Sequence, residues 1–148
     1  MAKMTMPPFQ PPDPNYTERV LVSFRQQTIM AAIGASVRSV APGAVEIELP
    51  FRAELCQQDG FLHAGIVTTI VDSACGYAAY TLMPDGARVL SVEFKINFLA
   101  PAVGNRFIAR GRVARAGRTI TVCMGEVVAL TGDAERSIAL MQATMMAV

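Results

Sequence analysis

This sequence is poor in charge, histidine and cysteine, and it lacks any long unbroken apolar run. Charged residues make up 17% of its 148 residues and leave a formal net charge of +1. That gives no basic field for nucleic acid, and basic and aromatic residues are not interleaved, so a nucleic-acid partner is excluded. No apolar stretch approaches the roughly 20 residues needed to span a bilayer, so a membrane protein is rejected. Cys56, Cys75 and Cys123 are an odd set without paired spacing. They suit a reducing cytoplasm better than a disulfide framework. Cys56, the single histidine His63, Asp72 and Cys75 lack the ligand-pair spacing of a zinc site, and no metal or other cofactor is expected.

What the chain does have is apolar surface. Hydrophobic residues reach 52%, high for a soluble monomer, which predicts burial between subunits and hence a homo-oligomer. Five prolines between Pro7 and Pro14 break any signal-peptide core and predict a flexible, extended arm over residues 1–16. Residues 17–148 are the size of one ordinary domain.

The patterning predicts a helix from Asn15 or Thr17 to Ile33, stopped by Gly34. Two short strands follow, Val37 to Val40 and Ala44 to Pro50, joined by the turn pair Pro42-Gly43. Arg52 to Gly60 reads as irregular. From Ile66 to Ala79 the apolar residues recur at helical spacing in a stripe wide enough for a helix enclosed on most sides, closed by Pro84-Asp85-Gly86. The period then changes to two. In Leu90 to Phe98 the even positions are apolar and the odd ones polar, which predicts a strand with one face on a core. Further strands are expected over Arg106 to Arg115, Arg118 to Leu130 and Ser137 to Met146, the first two forming a hairpin at Ala116-Gly117. Helix, two strands, buried helix and four antiparallel strands define an α+β layer architecture, with the sheet curling around the central helix.

Asp72 stands in the middle of that apolar helix, nine residues after His63. A carboxylate there loses hydration and needs a hydrogen-bonding partner, a raised pKa or a task. Thr68, Thr69, Cys75 and Gly76 share its face, and the glycine leaves open space. Ala64 and Gly65 fall in the helix's first turn, where backbone amides have no intrahelical partner and suit an oxygen developing negative charge. A carboxylate and such a helix start, about two turns apart, are expected to bracket a carbonyl carbon. The reaction class is hydrolysis of an activated acyl group.

Leu62-His63-Ala64-Gly65 followed by Asp72 resembles the H-G-G-x6-D signature of the PaaI-like hotdog-fold acyl-CoA thioesterases. Val89 to Pro101 is similar to that family's strand ending in an alanine- or serine-proline pair, and Arg115-Ala116-Gly117-Arg118-Thr119 to its basic-glycine-basic hairpin. The likeness covers residues 34–148. It implies a hotdog fold, with an antiparallel sheet wrapped around one long helix, and a homodimer whose sheets join edge to edge, often paired into a homotetramer. Two sites would lie at the subunit interface. It gives Asp72 the role of general base or nucleophile on an acyl-CoA thioester, and the Ala64 amide the role of polarising the thioester oxygen. Alanine replaces the family's glycine there. His63 would orient the loop, Gln57 would hold the attacking water, and Ser91 would support substrate or water. Thr68, Arg115 and Arg118 are candidate substrate contacts, the arginines for coenzyme A phosphates. Two other readings compete: an acyl-thioester dehydratase or hydratase of the same fold, and a non-catalytic acyl-CoA-binding module.

Overall fold

The structure, a computed structural model, describes residues 9–148. Its elements are α1 (Tyr16–Gln26), α2 (Thr28–Ile33), β1 (Ser36–Ala41), β2 (Ala44–Pro50), α3 (Ala64–Tyr80), β3 (Val89–Phe98), β4 (Arg106–Ala116), β5 (Ile120–Thr131) and β6 (Ala134–Ala147). A turn of 3-10 helix, Ala53–Leu55, interrupts the expected irregular stretch. The six strands form one antiparallel sheet in the order β1-β2-β4-β5-β6-β3, with α3 packed across it. This is the α+β layer architecture that the pattern predicts, in the hotdog arrangement that the resemblance implies.

Two glycines set the distance between helix and sheet. A Cβ on Gly111 of β4 would overlap the backbone of Ala74, and one on Gly125 of β5 would lie 2.6 Å from Val71 and 2.9 Å from the Cys75 sulfur. Glycine inside a strand costs roughly 0.5–1 kcal/mol. The close approach it allows buries Val67, Ile70 and Val71 at 1% exposure or less, each worth about 1.5–3 kcal/mol, so packing wins. The far end of α3 is held by Thr81, whose hydroxyl donates to the Ala78 carbonyl and accepts from the Gly43 amide at the β1–β2 turn.

Three expectations need correction. The first helix is two helices, because Gln27 is extended (φ −75°, ψ 98°) and breaks the ladder between α1 and α2; Gly34 then stops α2 in the left-handed region at φ 83°. The central helix is enclosed on all sides only over Ala74 to Ala79: ahead of that, Ala64 and Gly65 are exposed, and Thr68, Thr69, Asp72 and Ser73 are half-buried along one open stripe.

The third correction concerns β3. Of its apolar residues only Val89 and Ile96 pack against the core of this chain, while Leu90, Val92, Phe94 and Phe98 are 54%, 53%, 42% and 48% exposed. The strand is the sheet's edge, paired only with β6. A bulge at Val92, between Ser91 and Glu93, also shifts the register. Ser91, Phe94, Ile96 and Phe98 therefore pair with Met145, Ala143, Met141 and Ala139 on the helix-facing side, and Ser91 leaves the polar side that strict alternation assigns it.

Part of the expected arm, residues 1–8, lies outside the described residues. Farther along, Phe9 packs against the core, and Asp13 is buried at 8% exposure. Asp13 accepts hydrogen bonds from the Asn15 amide and the Arg19 guanidinium, both at 2.9 Å. The amide, with help from Arg19, holds the Asp13 carboxyl below its ordinary value. Gly111→Ala is expected to push α3 off the sheet and lower stability by about 1–3 kcal/mol, read as a fall in the urea midpoint.

Candidate active site

Helix α3 is apolar because its buried residues face the sheet, so its polar groups fall on the open stripe. Asp72 is half-buried there, and its Oδ1 accepts a 2.7 Å hydrogen bond from the Ser91 hydroxyl. The Val92 bulge makes this contact possible by turning Ser91 toward the helix. Both residues line a cavity of about 430 Å³ together with Ser23, Gln27, Ser73, Gly76, Tyr77 and Arg88. A Cβ on Gly76 would meet nothing within 4 Å, so the open space expected beside Asp72 is there.

The cavity wall is a hydrogen-bonded polar group that the sequence pattern did not reveal. Gln27 Nε2 donates to the Tyr77 hydroxyl at 3.0 Å, Ser73 Oγ donates to Gln27 Oε1 at 3.3 Å, and Ser23 and Tyr77 hydroxyls lie 3.2 Å apart. Burial pushes the Tyr77 phenol above its ordinary value, against the lowering effect of Ser23 and Gln27. Gln27 reaches this wall because it sits at the α1–α2 break. Ser23 and Gln27, four residues apart in a presumed helix, were the one available sign of a polar face.

The start of α3 carries the second group of residues. His63 is its N-cap, with Nδ1 accepting from the Gly65 amide at 2.8 Å. That bond requires the neutral ring with its proton on Nε2. It also withdraws Gly65 from the pair of amide donors expected there. The Ala64 amide has no acceptor among the described residues and stands exposed at the positive end of the helix. Gln57 lies beside it, its Oε1 accepting from the Asp59 and Phe61 amides at 2.6 and 3.1 Å and so bracing its own loop. Gln57 and Ala64 line a separate cavity of about 420 Å³ with Phe61, Leu62, Val67, Phe98, Leu99 and Ile138.

Within the chain these residues fall into two clusters: Asp72 with Ser91, and Gln57, His63, Ala64 and Gly65. Thr68 lies between them, its hydroxyl bonded back to the Ala64 carbonyl at 2.8 Å rather than to Asp72. Arg115 and Arg118 are exposed at the β4–β5 hairpin and form no ion pair among the described residues. Cys75 is fully buried, and burial raises its thiol far above the ordinary range, which removes it as a nucleophile.

The sequence pattern of the thioesterase superfamily matches residues 59–135, a span that holds His63, Ala64, Asp72, Ser91 and both hairpin arginines. The chain belongs to that superfamily. A putative esterase of Halobacterium salinarum is 32% identical over 114 residues, covering 72% of this chain and 75% of that protein. Acyl-coenzyme A thioesterase 13 of Homo sapiens is 31% identical over 83 residues, 55% of this chain and 59% of its own length. A solved thioesterase family protein from Silicibacter pomeroyi superposes with a TM-score of 0.88 at 51% identity, covering 90% of this chain and 98% of that one. The PaaI protein of E. coli shares the fold, with a TM-score of 0.82 at 18% identity over 90% and 94% of the two chains.

His63→Ala should remove the cap and cost about 0.5–2 kcal/mol in chemical denaturation, with faster hydrogen exchange at the Gly65 amide.

Proposed function

We propose that the protein is an acyl-CoA thioesterase working as a homodimer, with Asp72 attacking the thioester or activating the water that does. One observation carries this reading: α3 presents a free amide at Ala64 and a Ser91-held carboxylate at Asp72, eight positions farther on. The helix rise puts them about 12 Å apart. A carbonyl group is about 1.2 Å long, so one copy cannot hold its oxygen at Ala64 and offer its carbon to Asp72. Two copies with antiparallel α3 helices crossing near Thr68 bring Asp72 of each beside Ala64 of the partner subunit. The open stripe on α3 and the unpaired apolar edge of β3 supply the surfaces for that pairing.

In such a pair the thioester oxygen takes the Ala64 amide, and the charge it gains on attack is stabilised at a helix N-terminus. The Ser91 hydroxyl aims the Asp72 carboxylate. Gln57, on the Ala64 side, would present its remaining N–H to the attacking water. Thr68 lines the approach, and Arg115 and Arg118 would meet coenzyme A phosphates. This chemistry calls for no metal or added cofactor, and the three free thiols fit a reducing, cytoplasmic setting.

Asp72→Asn should lower kcat for acyl-CoA hydrolysis by about 10²–10⁴-fold, with an unchanged circular dichroism spectrum. Undiminished hydrolysis across an acyl-CoA panel would remove Asp72 from the mechanism. Hydration of an enoyl-CoA without thiol release would favour a hydratase, and tight binding without turnover a binding module.

The shared site has its own test. Ala64→Pro deletes only the amide, since proline is tolerated at the first helical position and His63 is already extended (φ −60°, ψ 136°). Each variant alone should be inactive. Co-refolded, Asp72→Asn and Ala64→Pro subunits should regain up to about a quarter of wild-type activity, because each hybrid dimer holds one intact site. No recovery would mean that each site is built within one chain.

A further inference from the structure

The two cavities offer a guest different walls. The one around Asp72 is lined by hydrogen-bonding groups from Ser23, Gln27, Ser73, Tyr77 and Arg88 beside the apolar Val89, Leu90 and Val148. Arg88 makes no ion pair among the described residues, and it pairs through its backbone with Val148, next to the strand end bonded to Thr119 of the hairpin. The unpaired Arg88, Arg115 and Arg118 thus gather at one end of the sheet. The cavity around Ala64 is walled by Phe61, Leu62, Val67, Phe98, Leu99 and Ile138. Phe61, Phe98 and Leu99 are 36%, 48% and 52% exposed, which is costly apolar surface to leave wet.

A coenzyme A thioester is sorted in the same way. Phosphates stand at one end, an amide-bearing arm follows, then the reacting carbonyl and finally the acyl group. With the carbonyl oxygen on the Ala64 amide, the arm matches the polar wall and the phosphates match the arginines. The acyl group is left to the apolar groove. We propose that this groove, under Phe98 and Leu99, selects an unsubstituted hydrocarbon acyl group, a specificity that rests on the thioesterase reading above.

Gln57 is the one polar side chain among the groove's lining residues, and in the reading above its N–H is given to the attacking water. The Gln57 carbonyl already accepts from two amides, and the Ala64 amide is committed to the thioester oxygen. A hydroxyl or carboxylate on the acyl group would lose its water and find no replacement.

The test is kcat/KM for straight-chain acyl-CoAs from acetyl to decanoyl. Values should rise by roughly threefold to fourfold per methylene until the groove is full. An ω-hydroxy analogue should fall about ten- to a hundredfold below the plain chain of equal length. Leu99→Asn, a change at an exposed side chain, should flatten the chain-length series. A flat series in the wild type, or a preference for the hydroxylated analogue, overturns the proposal; the groove would then be filled by the neighbouring subunit. Binding of the non-hydrolysable thioethers S-ethyl- and S-octyl-coenzyme A separates the two readings. Tighter octyl binding without turnover of any thioester would sink the thioesterase assignment and keep the groove, whereas turnover with equal binding would do the reverse.

Discussion

The closeness of α3 to the sheet is the constraint on which the other features depend. Gly111 and Gly125 remove the two side chains that would otherwise stand between the Val71–Cys75 segment and strands β4 and β5. With the helix seated there, its apolar residues are consumed by the sheet and its polar residues are forced onto the opposite stripe. Asp72 is partly open for that reason, and it sits within reach of β3. A helix held one side chain farther out would carry the carboxylate away from Ser91.

Local departures from regular structure then turn this scaffold into a site. The Val92 bulge rotates Ser91 onto the helix side. The extended Gln27 between α1 and α2 carries its amide to Tyr77 and Ser73. His63 caps α3 through the Gly65 amide, so a single main-chain donor, that of Ala64, is left facing out. Each departure breaks a periodic pattern, and each places a polar group in or beside a cavity. The outer face of the sheet shows a different use of polar groups. There Arg110 grips Glu135 at 2.7 and 2.9 Å and Glu46 at 3.1 Å, joining β2, β4 and β6. Glu135 is held below its ordinary value mainly by that arginine. Half-exposed ion pairs of this kind add little stability, so the sheet's cohesion comes from its ladder and its apolar side.

In the proposed reading, the separation of Asp72 from Ala64 would give a dimer a chemical purpose. Dimerisation on apolar edge strands would be expected on packing grounds alone, because β3 exposes Val92 and Phe94. Under that reading the 12 Å helix spacing adds a further demand, since neither half of the proposed machinery would suffice within one chain.

The residues themselves determined the element order, the central helix with Asp72 on it and the last four strands, because hydrophobic period and turn chemistry are local properties. Motif spacing likewise pointed to His63, Ala64 and Ser91. Tertiary structure decided which of these groups meet. Strict alternation put Ser91 on the wrong side of β3, since a bulge depends on how the partner strand pairs and leaves no periodic trace. The Gln27 break was hidden in an unbroken helical pattern, because its stabilisation comes from Tyr77 and Ser73, some 50 and 46 positions away. The exposure of β3 followed from its place at the sheet edge, which is a matter of strand order and not of composition.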